Sequence, residues 1–292
     1  DCAERAIYNT VLSGVSLSGD RFFYENPLAA DPARNAFNAS RAKGLQEHLP
    51  ILSRVKVFDC SCCPPNLLRF VGSIADYMYS VSGNTIYAHC YMEAEGEIEV
   101  SGGRMRLKQE TGYPYDGRIR ILTETEGACE IALHLPSWSE QWKLTVNGKE
   151  AEAVLRKGYL YVQREWKCGD CLELELDMSL RFWESNPRVI DTSGRIAVTR
   201  GPLVFCAEGI DNDDLLLRDV RIKPEQKGKI GSRQMEGTTL PVLELDAGVR
   251  EQEEELYIRP GKPLRQVKLH LIPYFAWANR QVTSMNTWFL EE

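Results

Sequence analysis

The chain has 292 residues, of which 43% are hydrophobic and 26% are charged, and its formal net charge is −7. The apolar content excludes global disorder, and the length corresponds to about two domains of ~100–200 residues each. No surplus of positive charge supports nucleic-acid binding. No run of about 18 apolar residues occurs, so no membrane-spanning helix is expected.

Helix and loop patterns occupy the N-terminal part of the chain. Apolar residues at four-residue spacing predict a short amphipathic helix over residues 3–12. Residues 21–24 predict a brief strand, and residues 27–50 have the composition of a long loop. A second helix with one buried face is predicted from Pro64 until Gly83, because proline suits a first helical turn and apolar residues then recur every three or four positions.

From Asn84 onward the apolar period changes to two, which predicts strands of an antiparallel β-sandwich. Asn147-Gly148 is a strong hairpin signal, and a boundary is predicted near Ser185-Asn186-Pro187, after which a second β set begins. The strand candidates are residues 85–92, 97–100, 105–108, 118–122, 129–135, 143–146, 159–162 and 172–176 before the boundary, and residues 195–198, 202–205 and 267–271 after it.

Two acidic runs lie within the second β set, in a stretch whose composition predicts irregular structure. They are Asp211-Asn212-Asp213-Asp214 and residues 251–255. Charged runs of this kind are usually solvated. We therefore interpret both runs as surface rather than as metal sites.

The chain contains nine cysteines, an odd number in a protein too long to depend on disulfides. This count favours mostly reduced thiols and a reducing compartment such as the cytoplasm. Cys60, Cys62 and Cys63 lie close together in sequence and need their own explanation.

This cysteine cluster lies directly ahead of the predicted second helix. The N–H groups at a helix start stabilise thiolates, and adjacent thiolates can bind one soft cation such as zinc. The alternative interpretation is a set of buried thiols that pack as small apolar residues. Spacing alone leaves both interpretations open, because a structural zinc site needs four ligands.

Other residues with potential chemistry are better explained structurally. Cys168-Gly169-Asp170-Cys171 has the spacing of a redox or zinc pair, but its setting predicts a turn before a strand rather than the start of a helix. His89, His134 and His270 lie in strand patterns, which favours sheet-face residues over ligands, and His48 lies in the long loop. The chain has no phosphate-binding glycine loop, no Gly-x-Ser-x-Gly and no His-Glu-x-x-His.

Five segments, taken together and in order, point to one family. Cys62-Cys63-Pro64-Pro65-Asn66 resembles the Cys-Cys-Pro-Pro-Asn signature of glycoside hydrolase family 127, the β-L-arabinofuranosidase family. The other similar segments are residues 4–9, 22–27, 200–206 and 272–280.

The resemblance implies an (α/α)6 catalytic barrel followed by two antiparallel β-sandwich domains. Residues 1–82 would be the C-terminal remnant of the barrel and carry the signature segment. Residues 83–184 and 185–292 would be sandwich domains I and II. Because the chain starts without an initiator methionine, we expect it to be the C-terminal portion of a longer protein. Apolar helix faces without their barrel partners would favour homo-oligomers.

The resemblance also implies a retaining glycosidase whose nucleophile is a zinc-bound cysteine. Cys62 would be the nucleophile and a zinc ligand, Cys63 would be a second zinc ligand, and Tyr24 would contact the sugar. In the family, a Glu and a Cys that complete the zinc site, and the Glu that acts as acid/base, precede the segment resembling Ala6–Asn9. The zinc site would therefore be incomplete in this chain, and the fragment would be inactive alone. Residues 281–284 also differ from the Gly/Pro-rich turn of the family.

Three functions remain open at the level of sequence. The first is a C-terminal fragment of a glycosidase that acts on β-linked L-arabinofuranosyl groups or a related plant-glycan substrate. The second is a non-catalytic β-sandwich protein that binds a glycan or a partner chain. The third is thiol redox chemistry at the cysteine cluster. None of the three involves nucleic acid or a membrane.

Overall fold

A computed structural model describes residues 1–35, 52–56, 62–251, 255–257, 259 and 261–292. Strands dominate this part of the chain, so the predicted mainly-β class is confirmed. No helix within the described ranges is long and apolar enough to cross a membrane. The predicted division into a barrel remnant and two sandwiches, with its boundaries, stays a prediction.

The helices are short. The predicted N-terminal helix is present as α1 (Cys2–Arg5), which continues as a π-helical segment over Ala6–Val11. The other α-helices are α2 (Pro32–Asn35) and α3 (Cys63–Gly72). Single 3-10 turns are formed by Ile74–Tyr77, Ile190–Thr192, Gly209–Asp211, Leu217–Asp219 and Tyr274–Ala276.

Helix α3 is shorter and more exposed than the sequence predicts. It ends at Gly72 rather than near Gly83, and none of its residues is buried in this structure. Leu68 and Val71 are 59% and 50% exposed. The predicted last turns are instead a 3-10 turn and a strand, because the chain reverses at Gly83 (φ +62°) and pairs with the strand that follows. The inter-strand hydrogen bonds replace those of the predicted helix.

The described chain forms 21 strands, numbered here in chain order. They are β1 (Ala29–Ala30), β2 (Tyr79–Ser82), β3 (Thr85–Ala88), β4 (Ala94–Val100), β5 (Gly103–Thr111), β6 (Arg118–Thr123), β7 (Gly127–His134), β8 (Trp142–Val146), β9 (Lys149–Glu150), β10 (Val154–Arg156), β11 (Tyr159–Trp166), β12 (Cys171–Leu176), β13 (Leu180–Glu184), β14 (Arg195–Arg200), β15 (Leu203–Glu208), β16 (Arg221–Ile222), β17 (Lys229–Met235), β18 (Thr238–Val249), β19 (Arg265–Pro273), β20 (Met285–Asn286) and β21 (Trp288–Glu291). The brief strand predicted over residues 21–24 is reduced to single bridges from Phe22 to Val15 and Val55.

The chain separates into two compact units. Unit 1 comprises Asp1–Glu4 and Leu68–Ser179, and unit 2 comprises Arg5–Leu67 and Leu180–Glu292. Unit 1 holds a five-stranded sheet in the order β10-β11-β7-β3-β2 and a six-stranded sheet in the order β4-β5-β6-β12-β8-β9. Unit 2 holds a ten-stranded sheet that runs β1-β20-β15-β19-β18-β16-β21-β14-β13, with β17 beside β18.

Period-two alternation places the cores of these sheets as predicted. In β12, Leu172, Leu174 and Leu176 are buried while the glutamates between them face outward. Each leucine removed from water in this way contributes about 1.5–3 kcal/mol.

A buried carboxylate anchors the N-terminal residues of unit 1. Glu4 is 2% exposed, and it accepts hydrogen bonds from the Tyr113 hydroxyl and from the Trp138 indole (3.1 Å). Buried carboxylates persist only when hydrogen-bonded. We therefore interpret Glu4, which belongs to one of the segments that resemble the family, as a structural residue of this chain.

The stretch predicted to be irregular in unit 2 is instead a long hairpin. Strand β17 pairs with the twelve-residue strand β18 from Lys229↔Glu244 to Met235↔Thr238. Glu236 and Gly237 form the two-residue turn, and both have positive φ (+45° and +79°). A two-residue turn of this handedness matches the twist of the flanking strands. The prediction failed because Glu-Gly is a weaker hairpin signal than Asn-Gly.

The sheets are mixed, which corrects the prediction of purely antiparallel sandwiches. Strands β3 and β7 are parallel, and so are β16 and β21. Between β3 and β7 the chain forms β4, β5 and β6 in the other sheet of unit 1 before it returns. Two strands that are joined by such a crossover can run parallel, whereas two strands joined by a tight hairpin cannot.

Asn9 joins the first helical segment of unit 2 to its sheet. Its side-chain amide donates to the carbonyl oxygens of Arg5 and Pro202 (both 2.8 Å) and accepts from the N–H of Val204 (2.8 Å). All of its hydrogen-bonding atoms are thus used to fix the helical segment against the start of β15.

Candidate functional site

The site is built around Cys62 and Cys63, which we call the thiol pair. Cys62 lies in the turn before α3, and its carbonyl oxygen accepts the N–H of Asn66 (3.3 Å), as the last residue before a helix does. Pro64 and Pro65 occupy the first turn, where a helix has no use for their missing N–H groups. The sequence therefore fixes a helix start directly behind the two sulfurs, as predicted.

The pair is accessible and close. Cys62 is exposed, Cys63 is half-buried, and their Sγ atoms lie 3.6 Å apart. Two thiolates that share a tetrahedral zinc ion at ordinary Zn–S lengths lie about 3.8 Å apart. The pair therefore fits two corners of a zinc site. Within the described ranges, no group of three or more His, Cys, Asp or Glu side chains is arranged to hold a metal ion.

The alternative of buried, inert thiols applies to other cysteines. Cys90, Cys129 and Cys206 are buried, and burial raises the pKa of each of these thiols, to about 11 for Cys129. The exposure of Cys62 excludes that interpretation for the proposed nucleophile. Cys60, the third member of the cluster, lies outside the described residues.

Tyr24, the predicted sugar contact, lies in a half-buried bend of unit 2. Its neighbour Phe23 is 3% exposed and stacks on Trp277, with ring centroids 4.9 Å apart and an interplanar angle of 16°. The Arg54 guanidinium lies over the Phe23 ring, 4.4 Å from its centroid. The bend that carries Tyr24 is thus anchored at one side by this stack. The role of Tyr24 as a sugar contact stays a prediction.

Arg54 ties its own segment to two other main-chain segments of unit 2. It is 4% exposed and donates to the carbonyl oxygens of Ser13 (2.9 and 3.1 Å), Phe275 (3.1 Å) and Trp277 (2.6 Å). Burial lowers the pKa of Arg54 to about 10, so the side chain is still a cation at neutral pH. Sequence reasoning missed this residue, because a buried arginine has no signal that separates it from a surface one.

Asp211 corrects the surface interpretation of the first acidic run. Its side chain is 8% exposed, and its carboxylate pairs with Arg280 (2.6 Å) and Arg233 (2.7 Å). Burial alone would raise the pKa of Asp211, but hydrogen bonds from the two guanidiniums hold it below its usual value. Asp213 and Asp214 are exposed, as predicted for the run. Of the second run, residues 252–254 lie outside the described part of the chain.

Cys168, Cys171, His134 and His270 have the structural settings expected of them. Cys168 lies in a turn at Gly169 (φ +88°), and Cys171 begins β12, so the predicted turn before a strand is confirmed. His134 and His270 lie in β7 and β19. His89, which was also predicted to lie in a strand, instead follows the end of β3 and is hydrogen-bonded to Ser80 (2.7 Å) and Tyr159 (2.6 Å). His48 lies outside the described residues.

Three family profiles match the chain in succession. Residues 1–76 match "Beta-L-arabinofuranosidase, GH127 catalytic domain", residues 85–178 match "Beta-L-arabinofuranosidase, GH127 middle domain", and residues 180–290 match "Glycoside hydrolase family 127 C-terminal domain".

Known relatives are similar along almost the whole chain. The non-reducing end β-L-arabinofuranosidase of Bifidobacterium longum is 33% identical over 98% of this chain and 44% of the relative. The crystal structure of a GH127 β-L-arabinofuranosidase from Geobacillus stearothermophilus has a TM-score of 0.88 at 31% identity, over 99% of this chain and 45% of that one. A further GH127 β-arabinofuranosidase structure has a TM-score of 0.84 at 31% identity, with the same coverage. The chain thus spans less than half the length of the relatives it matches.

Proposed function

Because the chain belongs to glycoside hydrolase family 127, we propose that it supplies part of the catalytic centre of a glycosidase that releases β-linked L-arabinofuranosyl groups from glycans. The observation that carries this proposal is the thiol pair. Two cysteine sulfurs lie 3.6 Å apart at the start of a helix, and the more exposed one is accessible to a substrate.

In this proposal Cys62 is the nucleophile and a zinc ligand, and Cys63 is a second ligand. The exposure of Cys62 allows a sugar to approach its sulfur, while the half-buried Cys63 is better suited to a fixed ligand. A zinc ion held by both sulfurs would keep them deprotonated at neutral pH.

The reaction has two displacements and therefore retains the anomeric configuration. The Cys62 sulfur attacks the anomeric carbon, the glycosidic C–O bond breaks, and the leaving oxygen takes a proton from a general acid. Water then attacks the same carbon and gives its proton to the same residue, now a base, and the sugar leaves the sulfur. Each step inverts the anomeric carbon once. Tyr24 would stack against the sugar and form a hydrogen bond to it through its hydroxyl.

The proposal requires groups beyond those described here. Within the described ranges no third metal ligand accompanies the pair, and relatives of this family are more than twice as long as the matched region. We therefore propose that the acid/base and the remaining ligands come from other parts of a longer polypeptide. We expect the 292-residue chain alone to hydrolyse an aryl β-L-arabinofuranoside little or not at all.

The nucleophile assignment is tested by Cys62→Ser in the longest natural polypeptide that carries these residues. We expect kcat on an aryl β-L-arabinofuranoside to fall by at least about 10³-fold, because a serine hydroxyl is neither ionised nor a soft ligand. Cys168→Ser is the matched control and should leave kcat unchanged, since Cys168 is an exposed turn residue. Full activity of the Cys62→Ser protein would refute the assignment.

The alternative function, a non-catalytic protein that binds a glycan or a partner chain, makes the opposite prediction. Glycan would then bind without turnover in the longer polypeptide, and Cys62→Ser would change neither property. Comparing Cys62→Ser with its control Cys168→Ser therefore separates the two functions.

A further inference from the structure

Unit 2 contains a cleft with a volume of about 880 Å³. Its walls are residues 28–31, residues 191, 192 and 195, the loop of residues 214–218, and residues 284–286 and 288. A cleft of this size can hold a ligand of two or three sugar rings. None of the residues assigned above to catalysis or to zinc lines it.

Asn286 presents a fixed acceptor in this cleft. The residue is 6% exposed, and its side-chain N–H2 group donates to the carbonyl oxygens of Leu217 (3.3 Å) and Trp288 (2.6 Å). Carbonyl oxygens only accept, so these two bonds fix which way the amide points. Within the described chain Oδ1 has no hydrogen-bond partner. An unpaired acceptor on a mostly buried residue is available to a donor from water or from a ligand.

Two carboxylates add further acceptors. Asp191 and Asp214 are exposed to the cleft, and neither forms a hydrogen bond or ion pair through its side chain with any described residue. Asp214 and the preceding Asp213 both have left-handed backbone conformations (φ +51° and +50°). This conformation is uncommon for residues other than glycine.

Guanidinium groups balance these carboxylates. Arg218 pairs with Asp31, and Arg195 donates to the carbonyl oxygens of Arg218 (3.3 Å) and Trp288 (3.2 Å). A cationic ligand would lie close to both guanidiniums, and an anionic ligand would lie close to the two unpaired carboxylates. The electrostatics therefore favour a neutral ligand that donates hydrogen bonds.

An apolar surface completes the lining. Trp288 is half-buried, and Leu28 and Leu216 are each 48% exposed at the cleft. A sugar ring has C–H groups on its faces and hydroxyl donors around its edge, so it matches an aromatic wall beside unpaired acceptors. We propose that this cleft binds a neutral saccharide. The saccharide is assigned from the residues that line the cleft. Only the choice of an L-arabinose probe rests on the proposed function.

The proposal is tested by titrating the 292-residue chain with a β-L-arabinofuranosyl disaccharide and measuring heat and Trp fluorescence. We expect saturable binding that Asp214→Asn and Asp191→Ala each weaken about three- to tenfold, since each removes a charged acceptor. Asparagine tolerates the left-handed conformation at position 214, so the first variant should fold normally. Asp246→Asn is the control, because Asp246 is an exposed carboxylate outside the cleft, paired with Lys268.

A Cys62→Ser/Cys63→Ser double variant separates this proposal from the proposed function. Binding that survives the double change, and is still weakened by Asp214→Asn, supports the cleft even if the glycosidase proposal fails. Three results would overturn it. These are no binding up to about 10 mM saccharide, loss of binding in the double cysteine variant, or saturation by the polyamine spermidine in place of the saccharide.

Discussion

Arg54 shows how single residues hold the framework of unit 2. A buried cation is tolerated when its N–H groups are occupied. Arg54 uses its guanidinium to reach carbonyl oxygens of two other segments, at Ser13 and at Phe275 and Trp277, while its flat face covers Phe23. Lysine could not make these four bonds at once, because its single nitrogen carries only three N–H donors. The residue beside Phe23 is Tyr24, so the same contacts steady the predicted sugar contact.

We predict that Arg54→Met lowers the free energy of unfolding by about 3–5 kcal/mol, because the carbonyl oxygens it leaves behind are buried without donors. Urea denaturation measures this loss. The control is Arg21→Met, whose side chain is 55% exposed and pairs only with exposed Asp20, and it should cost far less. Equal losses of unfolding free energy in the two variants would show that the buried hydrogen bonds of Arg54 contribute no more than the contacts of an exposed arginine.

At the scale of elements, close strand approach depends on particular glycines. Gly117 leads into β6, and its carbonyl oxygen accepts the N–H of Leu176 at the end of β12 (2.9 Å). A Cβ atom at Gly117 would lie 2.3 Å from the Leu176 carbonyl oxygen, which is main chain and cannot rotate away. The pairing of β6 with β12 therefore requires a residue without a side chain at this position.

We predict that Gly117→Ala destabilises the protein by about 1–3 kcal/mol, because the two strands must move apart. Gly96→Ala is the matched change in the same unit: its Cβ would meet nothing within 4 Å, so it should be neutral or slightly stabilising. Thermal unfolding followed by circular dichroism compares the two. A Gly117→Ala protein as stable as the Gly96→Ala protein would show that the strand ends have room to relax.

Across the whole molecule, the described residues form extended sheets but supply only part of the proposed catalytic centre. Unit 1 has paired sheets with apolar cores, and unit 2 has a ten-stranded sheet. Helix α3, which carries the thiol pair, buries none of its residues. The pair supplies two sulfurs, and the described residues supply no third ligand beside them.

We therefore predict that the 292-residue chain retains less than one zinc per molecule after dialysis against metal-free buffer, because two thiolates bind zinc more weakly than a full tetrahedral set. Metal analysis of the dialysed protein measures this. Cys62→Ser/Cys63→Ser should remove the residual zinc, whereas Cys168→Ser/Cys171→Ser, which changes the other close cysteine pair, should not. One tightly held zinc that survives loss of the thiol pair would refute the metal assignment.

The sequence by itself determined the features that depend on near neighbours in the chain. Apolar residues at period two defined most strands of unit 1, Pro64 and Pro65 marked the start of α3, and the Cys-Cys-Pro-Pro-Asn segment with its companions indicated the family. Each of these signals is read within a few residues, because side-chain alternation and helix starts are local properties.

Only the tertiary structure decided the features that depend on distant partners. Arg54 and the Phe275 carbonyl are 221 residues apart in the chain, and Asp211 changed from a predicted surface residue to a buried ion pair because Arg280 and Arg233 reach it. The saccharide cleft was missed for the same reason, whereas the β17–β18 hairpin was missed because its Glu-Gly turn is a weak local signal. Burial and pairing are set by what packs against a residue, and a local pattern contains no record of that.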